Sequence, residues 1–282
     1  MDNWKVLSGA NADYFRNTCP VIASKNNPDL GSKSRSLRVR WYPADSEENY
    51  VAEGNAYTIE DVDYDINSHG FRCEEFSNIN ESGNKKLIVF GCSNTLGIGM
   101  PETETWASML QSKISNRINE KIDLINLGIP GGSADDVIRL VSMIENKFDV
   151  DYVCMYTPPR FRKTLIDSDR RIFNYLVGNE YNPKNHSPSW RNANELCSKI
   201  LALVPENFEY NEFIAEQLVK TYALLSNASY KIITTHSYLE ELWEKHKTNT
   251  LLWESKARDL AHYGKPMQEH ISNDFYKGLF NE

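Results

Sequence analysis

A chain of 282 residues with 31 basic and 39 acidic side chains carries a formal charge of -8. It is long enough for one large domain, or for one domain of about 200 residues with an N-terminal extension. The basic residues form no long run, which excludes nucleic acid as the expected partner. No apolar stretch approaches the ~20 residues of a membrane span, so no membrane partner is expected.

The opening Met-Asp-Asn-Trp-Lys-Val-Leu-Ser lacks the basic start and apolar run of a signal peptide. The expected location is therefore the cytoplasm, and a viral gene product fits equally with a bacterial one. Five cysteines, Cys19, Cys73, Cys92, Cys154 and Cys197, are odd in number, scattered and without a C-x-x-C pair. Neither a disulfide framework nor a zinc knuckle is indicated.

Residues 1–36 are rich in Asn, Ser, Lys and Gly and show no sustained period. They read as an irregular arm, a candidate for docking on a partner or on a second copy of the chain. From Leu37 the run Leu-Arg-Val-Arg-Trp-Tyr alternates apolar and basic residues, which predicts a strand with one wet face, and Tyr57 to Tyr64 reads as another short strand. Asn-Ser-His-Gly at 67–70 is a turn, with Phe71 and Phe76 as anchors onto a neighbouring surface. The polar stretch 77–85 places a boundary near 84, dividing an N-terminal arm and accessory segment (1–84) from the main domain (85–282).

Beyond the boundary strands and helices alternate. Leu87 to Phe90 is a strand that stops at Gly91, with Ser93 two residues later. In Thr105 to Ile118, Trp106, Leu110, Ile114 and Ile118 recur every four residues on one helical face. Ile122 to Asn126 is a second strand and runs into a glycine turn ending at Gly132. Ser133 then caps a helix from Ala134 to Lys147. Val150 to Tyr156 and Lys231 to Thr235 are the third and fourth strands; helices are expected over 192–203, over 211–226 and from Met267 to the end. This order implies parallel strands joined by right-handed crossovers, hence a three-layer α/β/α sandwich. Residues 157–189, between the third strand and the next helix, show no clear period and form a long insertion placed to wall a substrate cleft.

Ser93 thus stands at the carboxyl end of a strand, where open α/β sheets put their chemistry. Gly-x-Ser alone is a common turn, so the serine needs partners. Near the far end stands Arg258-Asp259-Leu-Ala-His262-Tyr-Gly. An aspartate three residues ahead of a histidine can fold back to accept the Nδ1 proton, leaving Nε2 free to take a proton from a serine hydroxyl.

Gly91-Cys-Ser93-Asn-Thr, then Asn126-Leu-Gly-Ile-Pro-Gly131-Gly-Ser, then Asp259-Leu-Ala-His262-Tyr-Gly, in this order and spacing, resemble blocks I, II and V of the SGNH (GDSL-type) hydrolases. The stretch Ile66 to Arg72 is similar to a segment that commonly precedes the first block. The resemblance covers residues 86–275. It implies a flavodoxin-like parallel sheet and hydrolysis of acyl esters without a metal or other cofactor. Ser93 is then the nucleophile, His262 the general base, Asp259 its orienting partner, and the Ser93 and Gly131 N–H groups the oxyanion donors. Asn94 joins the candidate substrate-binding residues.

Two positions depart from that pattern. Cys92 stands where the family has an aspartate. After the third strand, Thr157-Pro-Pro-Arg160 replaces the family's Gly-x-Asn-Asp, so Pro159 falls where an asparagine supplies an oxyanion donor. Proline has no N–H and a side chain without a donor. Losing one such donor costs roughly 10²–10³ in turnover. Arg160 or Arg162, on the same rim, would replace it or bind an anionic substrate group; a solvated loop charge is the plain reading of both. Thr157 offers a hydroxyl, although it also suits the end of a strand.

The aromatic residues Phe161, Phe173, Tyr175, Tyr181 and Trp190 are mostly packing, and one or two facing the cleft would stack on sugar rings. The expected substrate is accordingly an acyl ester, with O-acetyl groups on a glycan as one form. His270 is the reserve base and His236 a rim residue. His69, His186 and His246 lack partners at ligand spacing, and Gly97-Ile-Gly99 lacks the lysine of a phosphate loop, so no metal or nucleotide site is expected. The competing expectation is a catalytically weak binding or structural protein on the same scaffold, because fold does not settle function.

Overall fold

The computed structural model describes residues 37–41, 45, 50–144, 147–160, 162–166, 172–176 and 208–281. The arm over 1–36, the helix expected over 192–203, and Phe161, Tyr181, His186 and Trp190 lie outside the described residues.

Strand β1 (Leu37–Val39) pairs antiparallel with β2 (Tyr64–Ile66), Val39 opposite Tyr64. The strand expected over Tyr57 to Tyr64 is corrected: Ile59–Asp61 is a 3₁₀ turn, and the extended run begins only at Tyr64. The reason is local, since the Asp61 carboxylate accepts the Thr58 N–H at 2.6 Å and closes a capping box. Helix α1 (Phe76–Glu81) follows, with Phe76 and Ile79 buried in the same core as Ile88 and Phe90.

The main sheet is built from β3 (Lys85–Gly91), β4 (Ile122–Gly128), β5 (Tyr152–Tyr156) and β8 (Ser229–Ile233), in spatial order β4-β3-β5-β8 and parallel throughout. The central strands β3 and β5 are apolar from Leu87 to Phe90 and from Tyr152 to Tyr156 because both faces are covered. Leu87 and Val89 point to one side, where Trp106, Leu110 and Ile114 of α3 (Trp106–Ile118) meet Met267, Ile271 and Phe275 of the last helix. Ile88 and Phe90 point to the other side, onto α4 (Ala134–Ile144) and α5 (Phe208–Leu225). The result is the three-layer α/β/α sandwich with a parallel sheet.

Between β5 and α5 the expectation of an aperiodic insertion needs correcting for the part described. Arg162–Ile166 (β6) and Ile172–Leu176 (β7) form an antiparallel ribbon, Thr164 opposite Asn174. The fourth main strand ends two residues earlier than expected, at Ile233. Thr235 instead opens α6 (Thr235–His246), because its N–H donates to Thr157 Oγ1 at 2.9 Å rather than continuing the ladder. Helices α7 (Thr250–Glu254) and α8 (Lys265–Phe280) complete the described chain. Among the described residues no helix is long and apolar enough to cross a membrane.

The chain leaves β3 for β4 on one side and later enters β5 on the other side. The carboxyl end of β3 is therefore a topological switch point, where the two following loops part and leave a crevice.

Candidate active site

Ser93 opens α2 (Ser93–Leu96), the single turn that follows β3. Only glycine fits two residues before it: a Cβ on Gly91 would lie 2.0 Å from Thr95 Oγ1 and 2.8 Å from Tyr156 O. Glycine is needed across the crevice as well, since a Cβ on Gly128 would meet Leu96 N at 2.4 Å. The turn is then tied down from two sides. Asn126 Nδ2 donates to Thr95 O at 2.8 Å while its Oδ1 accepts the Gly128 N–H at 3.0 Å. The fully buried Arg72 donates to the Gly97 carbonyl at 2.7 Å and to the Met100 carbonyl at 3.0 Å.

As the first residue of a helix, Ser93 has an N–H with no intrahelical acceptor. The Gly131 N–H, in a turn where φ is +68°, also has no acceptor among the described residues. Asn94 follows Ser93 with its Oδ1 buried and unpartnered.

The second functional loop precedes α8. His262 Nδ1 lies 2.5 Å from Asp259 Oδ2, and Asp259 Oδ1 accepts the backbone N–H groups of Ala261 and His262 at 3.1 and 3.0 Å. Burial pushes the Asp259 carboxyl up, but the imidazole hydrogen bond and charge, with the two N–H donors, outweigh it and hold the acid below the ordinary aspartate value. The Asp259 side chain has no exposed surface, whereas the imidazole remains 17 % exposed.

The loop after Ser93 and the loop that bears Asp259 and His262 touch. The Arg258 N–H donates to Gly99 O at 2.8 Å, and a Cβ on Gly99 would stand 3.1 Å from Asp259 N. Tyr263, next to His262, lies within electrostatic reach of Cys92, next to Ser93: burial first, then the thiol, pushes its phenol up to about 12. Among the described residues Ser93 Oγ makes no hydrogen bond, to His262 Nε2 or to any other group; catalytic hydrogen bonds often form only around substrate.

What holds the Asp259–His262 loop comes from far upstream, and no sequence pattern announces it. Arg258 is fully buried and donates from Nε and Nη2 to Asp45, at 3.0 and 2.7 Å, and from Nη1 to the carbonyls of Ile59 and Val62. Asp45 Oδ2 also accepts the Tyr64 hydroxyl at 2.6 Å, and that hydroxyl oxygen accepts the Gly99 N–H at 2.7 Å. One carboxylate thus ties the segment before β3 to the loop after Ser93 and to the Asp259–His262 loop.

The region of Pro159 is organised around Glu212, a second residue that sequence reasoning missed. Its buried carboxylate accepts the Thr157 hydroxyl at 3.0 Å and Arg160 Nε at 2.6 Å. Thr157 is 1 % exposed, and its hydroxyl hydrogen is committed to Glu212. Arg162 N donates to Pro159 O, and its side chain begins the β6–β7 ribbon. Thr164 pins that ribbon to the start of α4, donating to Asp136 Oδ2 at 2.6 Å beside the Ser133 hydroxyl, also at 2.6 Å.

The other histidines have local partners. His270 faces Asp274 at 3.5 Å and the His246 ring at 5.4 Å, and His236 is exposed beside Glu240 at 3.3 Å. His69 stacks on Phe76 at 4.8 Å between ring centres. Among the described residues no group of three or more His, Cys, Asp or Glu is placed to hold a metal ion. A cavity of about 420 Å³ between α4 and α5, lined by Val141, Phe148, Leu218 and Tyr222, includes none of the site residues.

No family model matches the sequence, and a search of curated proteins finds no match. Solved structures similar to the chain are those of hydrolases. A lipase/acylhydrolase from Enterococcus faecalis is 13% identical, with 70% of this chain and 96% of that one covered and a TM-score of 0.35. The psychrotrophic esterase EstA from Pseudoalteromonas sp. is 14% identical over 71% of this chain and 100% of that one, TM-score 0.34. An acetyl xylan esterase from Geobacillus stearothermophilus is 15% identical over 70% and 94%, TM-score 0.34.

Proposed function

We propose that the chain is a serine esterase acting on acyl esters through Ser93, His262 and Asp259. The observation that carries this reading is the Asp259–His262 pair, fixed by two backbone N–H groups and by the Arg258–Gly99 contact to the loop that bears Ser93.

The chemistry proceeds in two halves. Ser93 Oγ forms a bond to the ester carbonyl carbon while its proton passes to His262 Nε2. The Nδ1–H donates to ionised Asp259, which stabilises the imidazolium. The carbonyl oxygen, now an anion, accepts the Ser93 and Gly131 N–H groups. The bond to the alcohol oxygen then breaks, His262 returns the proton to that oxygen, and the alcohol leaves an acyl-serine. Water, deprotonated by the same imidazole, attacks the acyl carbon and releases the acid and free Ser93. O-acetyl groups on a glycan are the substrate form that suits the aromatic residues of the insertion.

Hydrolysis of a short-chain chromogenic acetate and of a panel of O-acetylated glycans, by the wild type and by Ser93→Ala, tests the reading. Turnover that Ser93→Ala abolishes is the expected result; equal rates in both proteins would refute it. Pro159 favours a second reading, a weakly active or inactive binding protein on the same scaffold, for which both proteins would hydrolyse nothing yet retain a glycan ligand.

A further inference from the structure

The arginines around the site differ in one respect. Arg160 has Glu212 at 2.6 Å, Arg139 has Asp136 at 2.6 Å and Arg258 has Asp45 at 2.7 Å. Arg162 has no carboxylate among the described residues, and its Nε and Nη1 are both buried without an acceptor. Arg162 is partly buried, and two of its N–H groups have neither solvent nor an acceptor, a position that a ligand anion would complete.

Its location is fixed on both sides. Its own N–H is held by Pro159 O, and Thr164, two residues on, is locked to Ser133 and Asp136. The charge is felt at Tyr263, the residue beside His262, which also senses Cys92 beside Ser93. A ligand group meeting Arg162 would stand within electrostatic reach of Tyr263, the neighbour of His262. One uncompensated positive charge matches a monoanion.

We propose that Arg162 is the specificity-determining residue of this site and that the substrates are acyl esters of carboxylate-bearing alcohols, with the carboxylate seated on the idle guanidinium donors. The inference rests on the esterase reading. Guanidinium–carboxylate hydrogen bonds of this kind change affinity by about tenfold to a hundredfold.

The test pairs 3-acetoxybenzoate with its neutral counterpart 3-acetoxybenzamide, and measures kcat/KM for each with the wild type, Arg162→Gln and Arg162→Lys. Calorimetry of 3-hydroxybenzoate against 3-hydroxybenzamide supplies a binding measurement that needs no turnover, and thermal unfolding checks that each variant is folded. The expected result is a wild-type preference for the anionic member of at least tenfold in both measurements. In Arg162→Gln that ratio falls close to one, mainly through KM, and Arg162→Lys recovers part of it. Equal binding of the two alcohols to the wild type, or binding of neither, overturns the proposal. So does a fall in kcat by the same factor on both esters in Arg162→Gln, which would mark Arg162 as an oxyanion donor. If the benzoate binds selectively through Arg162 but neither ester is hydrolysed, the esterase reading fails and the anion site stands.

Discussion

Arg258 and Asp45, 213 positions apart in sequence, form a fully buried ion pair with Nη2 2.7 Å from Oδ2. The residue after Arg258 is the carboxylate that holds His262, so the pair determines where that imidazole stands. The Trp41 ring covers the guanidinium at 4.2 Å, which keeps water from competing.

Removing one partner leaves an unpaired buried charge. Asp45→Ala is expected to destabilise the fold by about 3 to 5 kcal/mol, seen as a lower urea midpoint. Asp45→Asn keeps the shape and several hydrogen bonds, and its smaller loss should come with a fall in kcat rather than a rise in KM. An Asp45→Asn enzyme with unaltered kcat would show that the segment before β3 does not position the loop.

Asp259 makes a prediction about pH. Its pKa is depressed in the folded state, so its contribution to stability is fully present above the ordinary carboxylate range. That contribution is lost as pH falls through about 3.8 toward the lower folded value. Asp259→Asn removes the group. Acid unfolding of the wild type should therefore be steeper below about pH 4 than that of the variant, and identical profiles would contradict the assigned hydrogen bonds. The same variant presents the wrong partner to Nδ1, for which a turnover loss of roughly 10⁴ is expected.

Glu212 joins Thr157 and Arg160 where the resemblance placed an oxyanion asparagine. Glu212→Gln should cost about 1 to 3 kcal/mol in chemical denaturation, because Arg160 loses its counter-charge. If activity on a neutral acetate survives at the wild-type level, this cluster is scaffolding for the insertion and takes no part in turnover.

Much of the sheet could be read from the chain alone. Leu87 to Phe90, the apolar residues that follow Asp151 as far as Tyr156, and the four-residue spacing of Trp106, Leu110 and Ile114 are strong apolar signals, and they become β3, β5 and α3. The β6–β7 ribbon could not be read, because what pins it is polar: Thr164 meets Ser133 and Asp136, so no apolar alternation marks it. Helix α6 was hidden for a related reason, since Thr235 and Leu242 are its only buried residues. At the site, Asp259 and His262 stand three positions apart and are visible as spacing. Arg258–Asp45 and Glu212–Arg160 join positions that only the folded topology brings together, and charged residues in a sequence look solvated until their partners are known.

The most direct measurement is covalent labelling with a fluorophosphonate, followed by mass mapping of the modified peptide. The account predicts one adduct, on Ser93, absent in Ser93→Ala and formed at least a hundredfold more slowly in His262→Ala, as loss of a general base requires. No adduct on Ser93, or labelling of His262→Ala at the wild-type rate, would contradict it.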